Sequence, residues 1–244
     1  MNLSAEKLAE LPVDSDGFRQ RGMDMTRIET FTDAAFAFAL TLLVISFDEV
    51  PRSIDDLIAA LKNVPAFAAS FAQICMFWYA HHAWSRRYGL DDLPTVLLSL
   101  LFVFVTLVYV FPLRLVFSAL FAWITGGWLP FEMTEFTTDV IGDIFVVYGV
   151  GFVAMSAVLI LLYTHALRRS DQLMLDPRER FTTVSEIQAW LIVAGVGLTS
   201  TIVALLPIGH LRPVAGMVYA LLSIIMPLFA TVKARQARRL LQDA

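Results

Sequence analysis

The sequence predicts an all-α integral membrane protein with six transmembrane helices, and three observations lead to this fold class. Of the 244 residues, 58% are apolar and only 16% are charged, whereas a soluble domain carries roughly 45–50% apolar and about 25% charged residues. The apolar residues lie in long blocks, and a helix needs about 20 such residues to cross a bilayer. The lysines and arginines lie mostly in alternate connections between these blocks, as the positive-inside rule requires of a multi-span protein.

The chain divides into three parts. Residues 1–26 are polar and mixed in charge and lack the apolar core of a signal peptide, so the first helix is expected to act as the insertion signal. They are predicted to form a cytoplasmic N-terminal segment. Residues 27–232 are predicted to form the six-helix domain, and residues 233–244 a basic cytoplasmic tail. The pattern predicts no second soluble domain.

The helices follow from six apolar blocks. The third is long enough to tilt or to kink at Pro112. Between the first and second blocks, residues 52–62 are short and amphipathic, so we expect a helix in the membrane interface rather than a span. The six blocks cover residues 27–47, 65–84, 93–121, 141–167, 184–206 and 213–232.

The orientation follows from the basic residues. With the N-terminus inside, 14 of the 18 lysines and arginines fall on the inner side, where such residues accumulate. The loop at 125–140 carries acidic residues and no base, which fits the outer face. An odd number of helices would move the basic C-terminus outside. The sequence therefore predicts a multi-pass protein of the cell (inner) membrane with both termini cytoplasmic. The four bases left outside are Arg52, Lys62, Arg114 and Arg212.

Ionisable residues inside a span are candidate functional residues because they are costly there. Asp33 lies about two turns, or roughly 9 Å, beyond Arg27. Glu29 shares its helix face and repels it, so Asp33 needs a partner from another helix. The second block runs in the opposite direction and brings His81 and His82 to the same depth. We therefore predict that a histidine holds Asp33, with Arg27 nearby.

This polar cluster has two interpretations: it ties the first two helices together, or it acts directly in permeation or gating. A metal site is disfavoured because adjacent histidines point about 100° apart on a helix. Near the outer edge, Arg114 and Asp143 are expected to pair. The pattern predicts no cofactor, no metal, no nucleic-acid partner and no enzymatic activity.

The first block carries a recognisable motif. The stretch Arg27-x-x-x-Phe31-Thr32-Asp33, followed by Ala-Ala-Phe-Ala-Phe-Ala-Leu-Thr-Leu-Leu-Val, resembles the first-helix signature of the transmembrane protein 175 potassium channels. That signature usually reads Arg-x-x-x-Phe-Ser-Asp, and Thr32 keeps the hydroxyl of the usual serine. The stretches Trp78…His81-His82 and Leu100-Leu-Phe-Val-Phe…Phe111-Pro112 also resemble the family.

The resemblance implies a prokaryotic member with one six-helix repeat per chain, assembled as a homotetramer. In the family the first helix lines the pore, and bulky aliphatic side chains form a hydrophobic constriction without a carbonyl filter. Carried onto this chain, the constriction consists of Phe38, Thr41, Leu42 and Ile45, which fall within about 100° on a helical wheel. Phe38 departs from the family because an aliphatic residue is usual in the narrowest ring.

The sequence and the resemblance together predict a homotetrameric, potassium-preferring cation channel whose partners are potassium ions and the lipid bilayer. The alternative is a proton-coupled secondary transporter that uses Asp33 and the histidines as a relay. It is disfavoured because the sequence shows neither an inverted repeat nor a pair of glycine-broken helices. A non-conducting membrane scaffold is a third interpretation.

Overall fold

The computed structural model describes residues 8, 10–45, 52–131, 133, 137–207 and 209–242, and within these ranges the chain is helical apart from residues 11–26 and short connections. Two 3₁₀ turns, Gly209–Val214 and Tyr219–Leu221, flank the short helix Ala215–Val218. In the described part, the only strand-like pairing is an isolated bridge between Val13 and Arg19. The helices are α1 (Arg27–Ile45), α2 (Ile54–Leu61), α3 (Val64–Tyr88), α4 (Leu93–Ile124), α5 (Thr138–Arg168), α6 (Pro177–Leu205), α7 (Ala215–Val218) and α8 (Leu222–Gln242).

Local sequence sets the helix ends. Asp92, Thr137 and Asp176 each accept a hydrogen bond from the backbone N–H three residues ahead, and so cap α4, α5 and α6. Such caps satisfy backbone donors that the first turn of a helix leaves free. At the other end of α3, Gly89 takes the left-handed conformation with φ of +56°, which stops the helix.

Five segments of the described chain are long and apolar enough to cross a membrane. The helix α1 is not among them; it is 19 residues long and carries Arg27, Glu29 and Asp33. The prediction of membrane-spanning helices is therefore met in five of the six positions. The five segments are Ile54–Tyr88, Leu93–Ile124, Thr138–Arg168, Pro177–Leu205 and Arg212–Arg238.

The helices α5 and α6 make the most extensive contact, α4 packs on α5, and α1 packs on α4 and α3. Aromatic side chains fill the core between them. The ring of Phe77 contacts Phe102, Tyr109, Phe152 and Trp190, with centroids 5.7–6.4 Å apart. Pro112 lies inside α4, which continues to Ile124. One aromatic core thus joins α3, α4, α5 and α6.

The predicted amphipathic segment forms the short helix α2. Ser53 and Asp56 make a reciprocal capping box at its start, and none of its residues is buried. Lys62, directly after it, lies over the ring of Trp128 with 5.2 Å to the centroid. Its location in the membrane interface stays a prediction. Its apolar side chains, all exposed, are Ile54, Leu57, Ile58 and Leu61.

The start of α1, the end of α3 and the start of α6 lie at the same end of the bundle, which we call the basal end. Residues 12–22, called the N-terminal hairpin below, contact the end of α3 and the start of α6. The backbone N–H of Gly22 donates to the carbonyl of Arg86 near the end of α3 over 3.0 Å. The guanidinium of Arg21 binds Glu179 in the first turn of α6.

Candidate functional site

The helix α1 begins with a capping box. The backbone N–H of Glu29 donates to the Thr26 hydroxyl over 3.2 Å, and the backbone N–H of Thr26 donates to the Glu29 carboxylate over 2.7 Å. The same carboxylate accepts a hydrogen bond from the Ser85 hydroxyl on α3. A residue of the first turn thus both starts α1 and fixes it to α3.

The two faces of α1 differ in their surroundings. Thr32, Phe36, Ala39 and Leu43 are buried against the rest of the chain, and their spacing of three or four residues defines one helix face. The opposite face is uncovered in the single chain. Its exposed residues are Thr30, Phe31, Ala34, Ala37, Phe38, Thr41 and Val44.

The structure places the four predicted pore residues in three different situations. Phe38 is 55% exposed. Thr41 is also exposed, and its hydroxyl donates to the Ala37 carbonyl one turn earlier. Leu42 is half-buried and packs against the core. The side chain of Ile45 lies outside the described part of the structure. Phe38 and Thr41 therefore share the uncovered face of α1, and the joint role of all four in a pore stays a prediction.

Asp33 is held by a tryptophan and not, as predicted, by a histidine. The indole Nε1–H of Trp78 donates to Asp33 Oδ1 over 2.8 Å. The ring of Trp78 stacks on His82, with centroids 5.4 Å apart. Trp78 and His82 are one turn apart on α3, and both face α1. Trp78 lies at the level of the Asp33 carboxylate, and His82 lies one turn further along α3.

The ring of His81 contacts α4 instead. Its Nε2 lies 3.0 Å from Ser99 Oγ on α4, and its ring stacks on Phe102. It belongs to the buried stripe of α3 that also contains Phe77 and Trp84. Adjacent residues point about 100° apart on a helix, so the rings of the two histidines point in different directions although both border the space between α1 and α3.

Two other members of the predicted cluster are also placed differently from expectation. Arg27 is exposed at the first position of α1, and within the described residues Asp33 makes no ion pair with it. Thr32 is fully buried, but its hydroxyl has no hydrogen-bond partner among the described atoms. The structure brings Asp33, His81 and His82 to one place and leaves Arg27 outside it.

A polar pocket of about 350 Å³ opens between α1 and α3. The described residues contain no group of three or more histidine, cysteine or acidic side chains able to hold a metal ion. Because carboxylates and imidazoles line the pocket together, it offers both hydrogen-bond donors and acceptors. Its lining residues are Met25, Glu29, Asp33, His81, His82, Ser85 and Arg86.

The far end of α1 is held by a side chain whose role the sequence does not predict. Arg114 on α4 is buried and donates from Nη1 to the carbonyl of Leu43 over 3.0 Å. A cation is favourable at the C-terminal end of a helix. The expected pair between Arg114 and Asp143 is wrong, because Asp143 binds Arg212. The sequence does contain a sign of this role: Arg114 is a charged residue inside the third apolar block, two residues after Pro112, and such a charge needs a partner.

Comparison with known proteins identifies the family. The sequence profile described as endosomal/lysosomal potassium channel TMEM175 matches residues 27–112. A protein of Marivirga tractuosa named "Potassium channel" is 38% identical over 235 residues, which cover 93% of this chain and 94% of that protein. This chain belongs to the TMEM175 potassium channel family.

Solved TMEM175 structures share the fold. A crystal structure of a variant of the potassium channel MtTMEM175, in complex with a nanobody–MBP fusion protein, is 34% identical with a TM-score of 0.78. The match covers 92% of this chain and all of that chain. A TMEM175 homologue from Chamaesiphon minutus, described as lysosomal and potassium-selective, is 23% identical over 85% of this chain and 96% of its own, with a TM-score of 0.55. That second likeness shows the fold alone.

The TMEM175 profile covers α1 to the middle of α4. This is the part of the chain that carries Asp33, Trp78 and both histidines. The elements that contribute the polar pocket therefore lie inside the matched region. The resemblance of the first-helix motif to the TMEM175 family is thus confirmed.

Proposed function

We propose that this TMEM175 protein is a homotetrameric, potassium-preferring cation channel whose pore is lined by α1 of four subunits. The observation that carries the proposal is the uncovered face of α1, opposite a face that is buried in the chain. The likeness to a relative named "Potassium channel" supports it over nearly the whole chain. In this arrangement α1 also spans the membrane and brings the number of spans to six. Both termini are cytoplasmic, and the protein resides in the inner membrane.

The proposed constriction consists of Phe38, Thr41, Leu42 and Ile45 around a four-fold axis. Rings of apolar side chains exclude water from a narrow passage and so close it by dewetting. Potassium holds its hydration shell less tightly than sodium, so a partly dehydrated potassium ion crosses such a ring at lower cost. The side chain of Phe38 is 55% exposed in the single chain. In the proposed tetramer its phenyl ring points toward the axis and narrows the pore.

The polar cluster supports the pore from behind. On a helical wheel Asp33 lies about 140° from Phe38, and its carboxylate accepts from Trp78 on α3. The proposed role of Asp33 is therefore to fix the rotation of α1, and the permeating ion does not meet it.

Single-channel recording of the purified protein in planar bilayers tests the function. We expect unitary current steps under a potassium gradient, with a reversal potential close to that of potassium when sodium replaces it on one side. Bilayers that receive detergent buffer alone are the control. A proton-coupled carrier turns over too slowly to give unitary steps. Potassium flux without such steps would support the carrier and contradict the channel.

A further inference from the structure

The N-terminal hairpin is a tightly hydrogen-bonded structure. The backbone N–H of Asp14 donates to the Phe18 carbonyl, and the Asp14 carboxylate accepts from the backbone N–H groups of Asp16 and Phe18, each over 2.9 Å. Gly17 turns the chain with φ of +80°, a conformation that favours glycine. The segment before α1 therefore has a defined shape.

A buried ion pair joins the hairpin to α6. Arg21 and Glu179 have side chains that are both 0% exposed, and they form two parallel hydrogen bonds of 2.7 and 3.1 Å. Arg21 Nε also donates to the carbonyl of Leu173, and the backbone N–H of Arg19 donates to Glu179. A bidentate pair with these extra bonds fixes both position and direction.

A second set of contacts joins the hairpin to α3. The guanidinium of Arg87 binds Asp14 and Asp16 of the hairpin over 3.1 and 2.8 Å, and Glu186 of α6 over 3.0 Å. The buried ring of Phe18 lies 5.5 Å from the Arg21 guanidinium and 5.3 Å from that of Arg87. These are distances at which cation–π attraction acts. The hairpin is thus held by α3 and α6 at the same time.

Only residues 23–26 separate the hairpin from α1. Four residues span at most about 14 Å, and both ends of this link are fixed to α3. The backbone N–H of Gly22 donates to the Arg86 carbonyl, and Glu29 accepts from Ser85. The hairpin and the first turn of α1 are therefore joined through four residues and through neighbouring positions of α3.

We propose that Arg21 and Glu179 are positioning residues for conduction: their buried pair fixes the basal end of α1 against α6. This rests on the proposed channel function. Neither residue lies on the uncovered face of α1, so the pair sets how long the open arrangement lasts and leaves the conductance of the open pore unchanged.

Hydrogen exchange of the intact tetramer tests the positioning without any current. In Glu179→Gln the amides of residues 20–32 are expected to exchange at least about tenfold faster. Glutamine still serves in the capping box with Asp176, so the change removes the charge of Glu179 and keeps the helix start; it also weakens the 3.5 Å contact with the Arg19 guanidinium. The control is Arg180→Gln. Arg180 lies in the same turn of α6 as Glu179 and makes an exposed ion pair with Asp171, so its loss should leave the exchange of these amides unchanged. In an Arg21→Gln background, Glu179→Gln should add much less.

Single-channel recording tests the link to conduction. For Glu179→Gln and Arg21→Gln we expect a mean open time at least about threefold shorter, with unitary current and reversal potential unchanged. Unaltered exchange in Glu179→Gln would overturn the positioning role. Accelerated exchange with unaltered open times, or an altered unitary current, would overturn the link to the pore. Absence of unitary currents in the unmodified protein would instead contradict the proposed channel function, and the exchange test would still decide the positioning.

Discussion

At the scale of single residues, α1 is oriented by side chains that the first-helix motif only partly reveals. Asp33 was recognised from the sequence because a charge inside an apolar block is costly. Its donor Trp78 was not, because a tryptophan in a membrane helix is usually apolar packing, and only the structure shows its Nε1–H on the carboxylate. The choice between Trp78 and a histidine depends on the rotation of α3, which the apolar periodicity does not fix.

Replacing Phe38 with alanine should raise the unitary conductance and weaken the discrimination of potassium from sodium. A wider ring lets ions keep more of their water. Ile45→Ala is expected to act in the same direction. The measurements are unitary current and reversal potential with potassium on one side and sodium on the other. Phe104→Ala, at an exposed phenylalanine of α4, is the control. Unchanged values in both pore variants would remove these side chains from the constriction.

Removing the indole donor should destabilise the protein. Trp78→Phe keeps the apolar ring and leaves the Asp33 carboxylate without that hydrogen bond, so we expect a loss of about 1–3 kcal/mol in the free energy of unfolding. Thermal unfolding of the detergent-solubilised tetramer measures it. Trp123→Phe, at an indole that is 60% exposed, should change little. Equal effects of the two substitutions would show that the hydrogen bond contributes nothing.

At the scale of helices, the sequence predicted which segments are helical better than where they begin. The fifth block was predicted from residue 184, whereas α6 begins at Pro177. The missing two turns are polar, and Asp176 and Glu179 form the capping box that starts them. Hydropathy detects only the part of a helix that meets lipid or core. The final block is a candidate membrane span, Arg212–Arg238, but its beginning is irregular, because the chain between Gly209 and Leu221 alternates 3₁₀ and α turns.

Two glycines with the same backbone conformation separate steric fit from backbone strain. Gly89 and Gly126 have φ of +56° and +61°, so alanine costs each about 1–2 kcal/mol. A Cβ at Gly89 would lie 2.8 Å from the backbone of Arg21, whereas at Gly126 it would meet nothing within 4 Å. Gly89→Ala should therefore lower the unfolding temperature by at least about 2–4 °C more than Gly126→Ala. Equal shifts would contradict the close packing of the hairpin on α3.

The cap of α4 predicts a pH dependence of stability. Burial would raise the pKa of Asp92, but hydrogen bonds from Thr95 and His165 outweigh it and hold this pKa below its ordinary value of 3.8. A carboxyl group with a lowered folded-state pKa stabilises the fold above pH 3.8, and this stabilisation is lost as the pH falls through the folded-state pKa. Asp92→Asn keeps a capping side chain but lacks the charge.

Asp92→Asn should thus be less stable than the unmodified protein at pH 7, and the difference should shrink below about pH 3.8. Thermal unfolding of both proteins across this pH range is the measurement. Asp91→Asn, at the exposed neighbouring residue, is the matched control and should show no such convergence. A difference that stays constant down to pH 3 would mean that the charge of Asp92 does not stabilise the fold.

At the scale of the whole molecule, the proposed tetramer assigns a location to the uncovered face of α1. In a Cys75→Ala background, Phe38→Cys should react with a water-soluble thiol reagent and lose its current. Val147→Cys, exposed on α5, should keep its current after the same treatment. The native mass in detergent should be four times 27.3 kDa. A dimeric or trimeric mass, or a current that persists after Phe38→Cys is modified, would contradict the pore assignment.

The pair between Arg21 and Glu179 also bears on how the chain is made. The two residues are 158 positions apart, and synthesis proceeds from the N-terminus. When α1 enters the membrane, the carboxylate that will neutralise Arg21 has not yet been translated. The hairpin can therefore reach this contact only after the start of α6 has been translated. A segment synthesised early thus waits for a helix synthesised late, and an unpaired Arg21 belongs to a nascent chain that still lacks α6.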